Sequence, residues 1–403
     1  MNQGFFQSTV VTQPKEVRTS CGGSCRLLRG CYSPKMPVTG QGKMRILVIA
    51  EAPGQEEDKQ NIQLIGPAGQ LLRDALAEFG IGLDRDCRKT NAVRCRPPEN
   101  RKPTSLEISS CQSHIWEEIK SHPPKLILLL GQVALESFLL GKTRKAPGTI
   151  GRWRGFAIPD QKARAWVCPT FHPSYILRSR EGRAIRGKAE PVLSVEEKIF
   201  TMDLENALGH LRKPFPITPS PNVEILQGDQ LTDVHFPSKG ETIAIDYETT
   251  GLRPWERTDH RIVSVGVAWD DRCFSFEMSP IVEQKWKDVL INPLIKKVGH
   301  NCKFEHQWAA QCLGVETQRW EWDTMLAAHQ IDNRKHICGL KHQVYLNFGE
   351  EDWSGGINFE EDEENESGPL LNVQPTEELL RYNALDAYWT WCLYQKQKVL
   401  FSK

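Results

Sequence analysis

Residues 242–252 read TIAIDYETTGL. An apolar run, Thr242–Asp246, leads into the acidic pair Asp246 and Glu248 and then a Gly-containing turn. In a strand, residues two apart face the same side, so both carboxylates project together where the strand ends. Two anions on one face repel unless a cation lies between them. A pair of divalent ions about 4 Å apart, held by several carboxylates, is the arrangement that hydrolyses phosphodiesters. Mg²⁺ suits such a site because it prefers oxygen ligands and keeps some of its waters.

Further carboxylates follow in order. Gly299-His-Asn301-Cys-Lys-Phe304-Glu305 supplies a third, and Tyr382-Asn-Ala-Leu-Asp386 a fourth, with the tyrosine one helical turn before the aspartate on the same face. One D-x-E-T motif is common by chance; three motifs in order with the tyrosine are not. The segment 241–395 resembles the tyrosine-bearing branch of the DEDD exonuclease superfamily, which includes the proofreading domains of family A DNA polymerases. Trp322-Asp323-Thr-Met-Leu and Gly339-Leu-Lys-His also resemble family A exonuclease segments. The resemblance implies an RNase H-like mixed-sheet domain and two Mg²⁺ or Mn²⁺ ions held by Asp246, Glu248 and Asp386. It also implies that Tyr382 orients the attacking water and that Asn301 contacts substrate. Glu305 stands where the family usually has Asp; its charge is kept on a side chain one methylene longer. Asp323 is expected to be structural.

Reading outward, Ile262–Ala268 and Cys273–Glu277 continue a strand meander, and Glu377–Val399 is the last helix. Residues 350–368, EEDWSGGINFEEDEENESG, form an acidic insert expected to be a mobile loop, because its charges repel and it offers little to bury. KPFPITPSPN, residues 213–222, holds four prolines and marks a linker assigned to 213–240. Before it, short apolar runs at Arg45–Ala50, Leu126–Leu130 and Ala165–Pro169 alternate with helical patterns such as Ala68–Phe79 and Ile108–Ile119. That alternation suggests a parallel sheet with helices on both faces, over 21–212. Residues 1–20 read as a loosely docked arm.

The 403-residue chain has no net charge, which hides an asymmetry. Residues 1–220 carry 33 Lys and Arg against 21 Asp and Glu; residues 221–403 carry 18 against 30. A basic half suggests a polyanionic partner such as DNA. An acidic half suits a site built from carboxylates and metal ions. No apolar run approaches the ~20 residues of a membrane span, and no signal-peptide pattern opens the chain, so a cytoplasmic protein is expected. In such a chain, clustered cysteines among the twelve read first as metal ligands.

The first half carries Cys21-Gly-Gly-Ser-Cys25, Cys95-Arg-Pro-Pro and Cys111, thiolates suited to an iron–sulfur cluster or a structural zinc. These segments, with Glu51-Ala-Pro-Gly-Gln-Glu-Glu57-Asp58, Gly66-Pro-Ala-Gly-Gln, Thr90-Asn91-Ala-Val-Arg-Cys95 and Phe171-His172-Pro-Ser174, resemble the iron–sulfur uracil-DNA glycosylases of family 4 over residues 20–212. The resemblance implies a three-layer α/β/α domain with a [4Fe–4S] cluster on Cys21, Cys25, Cys95 and Cys111. Cys21-x3-Cys25 departs from the usual C-x2-C, which leaves Cys31 as the alternative ligand. Excision requires the nucleotide to leave the stack and enter a pocket. Asn91 would read the uracil edge, and His172 would hydrogen-bond the oxygen that gains charge. Glu51 would serve the attacking water or the sugar cation. Glu57 and Ser174 would complete the pocket. The family has an aromatic four residues before Ala68, where this chain has Leu64. Loss of a stacking face worth about 1–3 kcal/mol lowers the expected excision activity. The whole reads as a glycosylase-like DNA-binding domain fused to a 3′→5′ exonuclease acting on single-stranded DNA or a primer terminus, with a DNA polymerase in trans, as in some phage replication systems. The alternatives are a fully active bifunctional enzyme and an exonuclease acting on RNA.

Overall fold

The computed structural model describes residues 25–144, 146–185, 194–237, 240–355, 357 and 375–402. The N-terminal arm, Cys21, Arg186, Lys188 and most of the acidic insert lie outside the described residues. The chain forms two compact units, residues 1–141, 146–157 and 163–213, and residues 142–145, 158–162 and 214–403.

In the first unit, strands β1 (Ile46–Ala50), β2 (Cys87–Asn91), β3 (Leu126–Leu130) and β4 (Ala165–Thr170) run parallel in the order β2-β1-β3-β4. Every residue of β1 and β3 is buried, as expected of parallel strands covered on both faces. Ile46, Val48, Leu126 and Leu128 pack with Leu72 and Leu76 of α2 (Pro67–Ala77) and with Phe200 and Leu204 of α6 (Val195–Gly209). The unit also holds α1 (Gln55–Gln60), α3 (Ser105–Ser121), α4 (Gly131–Leu139) and α5 (Pro173–Ile185). Helices α3 and α6 each start with a reciprocal capping box, Thr104 with Glu107 and Ser194 with Glu197. The mouth of the cleft described below forms at the carboxyl ends of β1 to β4, the usual ligand edge of such sheets.

The second unit is a mixed sheet in the order β10-β9-β6-β7-β8-β5. The meander β6 (Thr242–Thr249), β7 (Ile262–Trp269) and β8 (Arg272–Glu277) is antiparallel, and β9 (Lys296–Gly299) and β10 (Trp320–Asp323) add parallel strands beside β6. Strand β5 (Val223–Leu226) lies within the stretch read as linker. It pairs with β8, and Leu231 and Val234 after it are buried in the core. Helices α7 (Pro280–Ile291), α8 (Cys302–Trp308), α9 (Thr324–Ile331) and α10 (Leu340–Phe348) precede α11 (Glu377–Phe401), which crosses β6, β7 and β8. Gly266 permits that crossing. A Cβ there would sit 2.2 Å from the Asn383 carbonyl oxygen.

Candidate functional sites

At the end of β6, Asp246 and Glu248 lie on the face toward α11. Asp386, on that helix, completes a group in which one carboxylate oxygen from each residue lies within 4.8 Å of the others. The close approach of α11 over Gly266 makes this distance possible. Asn383, three residues before Asp386, donates from its amide to Asp246 Oδ2 at 2.7 Å and to the Asp246 carbonyl at 3.1 Å. Its own oxygen accepts from Ser264 at 2.9 Å, so the amide orientation is set.

Desolvation and the Asp386 charge push the Asp246 carboxyl well above the usual carboxylate range. Burial, Asp246 and Asp386 do the same to Glu248. Gathered carboxylates that repel one another could hold a cation between them, and hard oxygen donors fit Mg²⁺ or Mn²⁺. Glu305, on α8, is buried beside this group but outside its 4.8 Å span. Its carboxyl is raised by burial and by Asp246 and Glu248, and its Oε2 has no hydrogen-bond partner among the described residues. Tyr382 bonds Asp386 one turn along α11, and burial raises its phenol so that it stays protonated.

Asp323 caps α9 through the Met325 and Leu326 amides and also accepts from the Asn301 and Cys302 amides, a structural role. Asn301 starts α8 in the left-handed region at φ 82°. Lys341 lies in the Gly339-Leu-Lys-His segment quoted above, which gave it no role, and Trp353 was not singled out from sequence. Asp386 Oδ1 accepts from Lys341 Nζ and, at 2.6 Å, from Trp353 Nε1. Trp353 belongs to the acidic insert, whose first residues therefore pack here rather than forming a free loop.

In the first unit, a cleft of about 840 Å³ is lined by Glu51, Glu57, Leu64, Asn91, His172 and Ser174, joined by Arg101, Lys102 and Arg178. Asn91 ends β2, buried, and its Nδ2 has no partner among the described residues, an orphaned donor at the cleft wall. The Ser174 backbone N–H donates to His172 Nδ1 at 3.2 Å, and its hydroxyl lies 2.8 Å from the same nitrogen. Burial, then Arg178, lowers the His172 pKa to about 4, so the ring is neutral. With Nδ1 accepting, the proton sits on Nε2, which is thereby a donor. Gly131, at φ +81°, makes room: a Cβ would lie 2.8 Å from the His172 Cβ.

Glu57 accepts from the Gly66 amide at 3.0 Å and fastens the loop carrying Leu64. Leu64 itself is buried at φ 55°. Burial raises the Glu51 carboxyl, opposed by Lys102 and Arg178. Phe171 and Tyr175, with ring centroids 5.0 Å apart, also line the cleft.

Among the described residues the thiols that gather are Cys31, Cys95 and Cys111. Cys31 hydrogen-bonds Cys95, and the Cys31 and Cys111 charges add to the burial that pushes the Cys95 thiol up to about 12. Cys31, held as the alternative from spacing, thus takes a place in the group. Cys25 is half-buried, and Cys21 lies outside the described residues. Converging soft sulfur donors suit an iron–sulfur cluster. His114 bridges this group to the cleft, its ring contacting the Cys111 carbonyl and, at 2.9 Å, the Asn91 carbonyl.

Comparison with known proteins finds a relation for each half of the chain. Residues 37–193 match the uracil DNA glycosylase superfamily, and residues 224–399 match a 3′-5′ exonuclease family of the DNA polymerase A type. A type-4 uracil-DNA glycosylase of Thermotoga maritima is 40% identical over 178 residues, covering 44% of this chain and 83% of the relative. The DNA polymerase of Bacillus phage SP01 is 27% identical over 333 residues. That match covers 75% of this chain, more than either unit, but this chain spans only 34% of the polymerase. Among solved structures, Brucella melitensis NrnC bound to pGG is similar over 45% of this chain and 81% of its own at 19% identity and a TM-score of 0.33. By the first of these relations the chain belongs to the type-4 uracil-DNA glycosylase family, joined here to a 3′→5′ exonuclease domain of the DNA polymerase A type.

Proposed function

We propose that the chain is a DNA-processing protein that trims DNA from the 3′ end in its second unit and binds DNA, with weak uracil excision, in its first. The observation that carries the reading is the approach of the Asp246, Glu248 and Asp386 oxygens to within 4.8 Å. Asp246, Glu248 and Asp386 would hold two divalent cations, which when bound supply Lewis acidity for attack on the phosphodiester. Glu305 shapes the second side of the donor set. Asn383 fixes the Asp246 carboxylate so that a free oxygen faces Asp386. Tyr382 keeps its proton and orients the attacking water instead of acting as its base. Asn301 contacts the substrate strand.

In the first unit, Asn91 pairs with the uracil edge through the amide that has no partner among the described residues. His172, neutral and held by Ser174, donates from Nε2 to the uracil oxygen that gains charge as the glycosidic bond breaks. Glu51 faces the sugar as it becomes cationic. Arg101, Lys102 and Arg178 neutralise backbone phosphates, so binding weakens steeply with salt. A [4Fe–4S] cluster on Cys31, Cys95 and Cys111, with a fourth thiolate from Cys21 or Cys25, would tie the N-terminal segment to the cleft wall. A DNA polymerase is the fitting partner.

The test is incubation of purified protein with uracil-containing and uracil-free single-stranded oligonucleotides, with and without Mg²⁺. Stepwise shortening from the 3′ end only with Mg²⁺ is expected. Cation-independent or 5′→3′ degradation overturns the exonuclease reading.

A further inference from the structure

Asp386 is the most heavily bonded of the gathered carboxylates. Its Oδ1 accepts from Lys341 Nζ and from Trp353 Nε1 at the same time. The Lys341 ammonium is also placed over two rings, 4.0 Å from the Trp353 centroid and 4.2 Å from that of Tyr382. The lysine side chain is 26% exposed and that of Asp386 10%. Lys341 is the second residue of α10, where the positive end of the helix dipole disfavours a cation. Its position there is explained by the carboxylate it neutralises and the ring faces it rests on.

We propose that Lys341 is a resident counter-cation of Asp386 that moves onto a phosphate of the DNA 3′ end when the divalent cations load, so that metal and substrate bind cooperatively. The inference rests on the exonuclease reading. A divalent cation beside Asp246, Glu248 and Asp386 repels an ammonium that shares Asp386. The displaced charge needs another anion, and the backbone phosphate delivered to this site is one. The long lysine stem allows the exchange without movement of α10. Trp353 stays behind as a donor to Asp386 and keeps the carboxylate aimed. By linkage, whatever DNA does for metal affinity, metal does for DNA affinity.

The experiment is calorimetric titration of the full chain, stripped of divalent ions, with Mn²⁺. It is run with and without a single-stranded oligonucleotide whose 3′-terminal linkages are phosphorothioates that resist cleavage. Wild type should bind Mn²⁺ about tenfold more tightly with the oligonucleotide, a change of ~1.4 kcal/mol. Lys341→Met should bind Mn²⁺ about tenfold more tightly than wild type without DNA and lose most of the DNA-dependent gain. Lys341→Arg, which keeps the charge, should behave as wild type. A folded Lys341→Met with unchanged or weaker Mn²⁺ affinity overturns the proposal. If that variant does not fold, Lys341→Gln answers the same question. Wild type without Mn²⁺-dependent 3′ degradation of a normal oligonucleotide would instead sink the exonuclease reading; degradation with no tightening in the variant sinks the exchange alone.

Discussion

In the first unit, Arg101, Lys102 and Arg178 surround an orphaned amide and a neutral imidazole. In the second, Asp246, Glu248 and Asp386 crowd together beside Lys341, with Glu305 buried next to them. On the proposed function, the basic cleft attracts the DNA backbone directly and leaves base recognition to neutral groups. On the same reading, the acidic site repels that backbone unless cations offset its charge. One polymer is thus met in two ways, and the sites should fail independently. Asp246→Ala is the largest expected break in that contrast. It should lower 3′→5′ degradation about a hundred- to thousandfold, the scale on which loss of one preorganised electrostatic group acts. Salt-sensitive DNA binding by the cleft should be unchanged, checked by fluorescence anisotropy at several salt concentrations. A parallel loss of binding would mean that the second unit supplies the DNA affinity.

The next contrast is steric. Gly266 and Gly131 each let one element approach its site, Asn383 in one unit and His172 in the other. Gly266→Ala should push α11 away from β6, separate Asp386 from Asp246 and cost about 1–3 kcal/mol through overpacking. Chemical denaturation and nuclease assays check both effects. Gly131→Ala adds strain at φ +81° and should impair the cleft while leaving the nuclease intact. Nuclease loss in Gly131→Ala, or its retention in Gly266→Ala, breaks the contrast.

These glycines show what the sequence could not convey. Asp246 with Glu248, and Tyr382 with Asp386, are legible because strand and helix periods place near neighbours on one face. Asn383 against Gly266, and Lys341 and Trp353 against Asp386, join residues far apart in the chain, where periodicity carries no information. Trp353 was also hidden by its acidic neighbours, whose repulsion reads as a free loop although the indole is bonded within the site. Val223–Leu226 follows a proline-rich run and is too short to stand out, yet it pairs along β8. The sequence named Cys21, Cys25, Cys95 and Cys111 and held Cys31 as the alternative, because spacing carries no distance; folding sets Cys31 against Cys95.

A smaller effect separates the units by pH. His172 titrates near 4 in the folded protein and near 6.5 unfolded. Between those values the unfolded chain binds the proton and the native one does not, so this histidine's contribution to stability falls as pH drops from 6.5 toward 4. The urea midpoint of wild type relative to His172→Gln should therefore decline across that window. Above pH 6 the ring is neutral, so any uracil excision should show no inflection from His172 between pH 6 and 8. An inflection there would mean that the imidazolium takes part.

The smallest effect concerns Leu64, and it bears on whether the first unit is an enzyme or a binding module. The residue is buried at the cleft wall, and its backbone is clamped: a Cβ on Gly69 would lie 1.9 Å from its carbonyl oxygen. Substitution therefore changes the side chain without freeing the loop. Leu64→Phe supplies a ring where the family 4 resemblance implies an aromatic. A stacking face worth about 1–3 kcal/mol corresponds to about a tenfold to hundredfold gain in excision. The assay is alkali-labile site formation on a uracil oligonucleotide in an Asp246→Ala background, which silences the nuclease. The chain already places Phe171 and Tyr175 in the cleft, so a second outcome has a physical cause. If wild type excises uracil robustly and Leu64→Phe adds nothing, one of those rings stacks on the flipped base, and Tyr175→Ala should then lower activity by the same factor. If neither variant changes an already absent activity, the deficit lies in the polar half of the pocket, and the cleft serves to hold DNA.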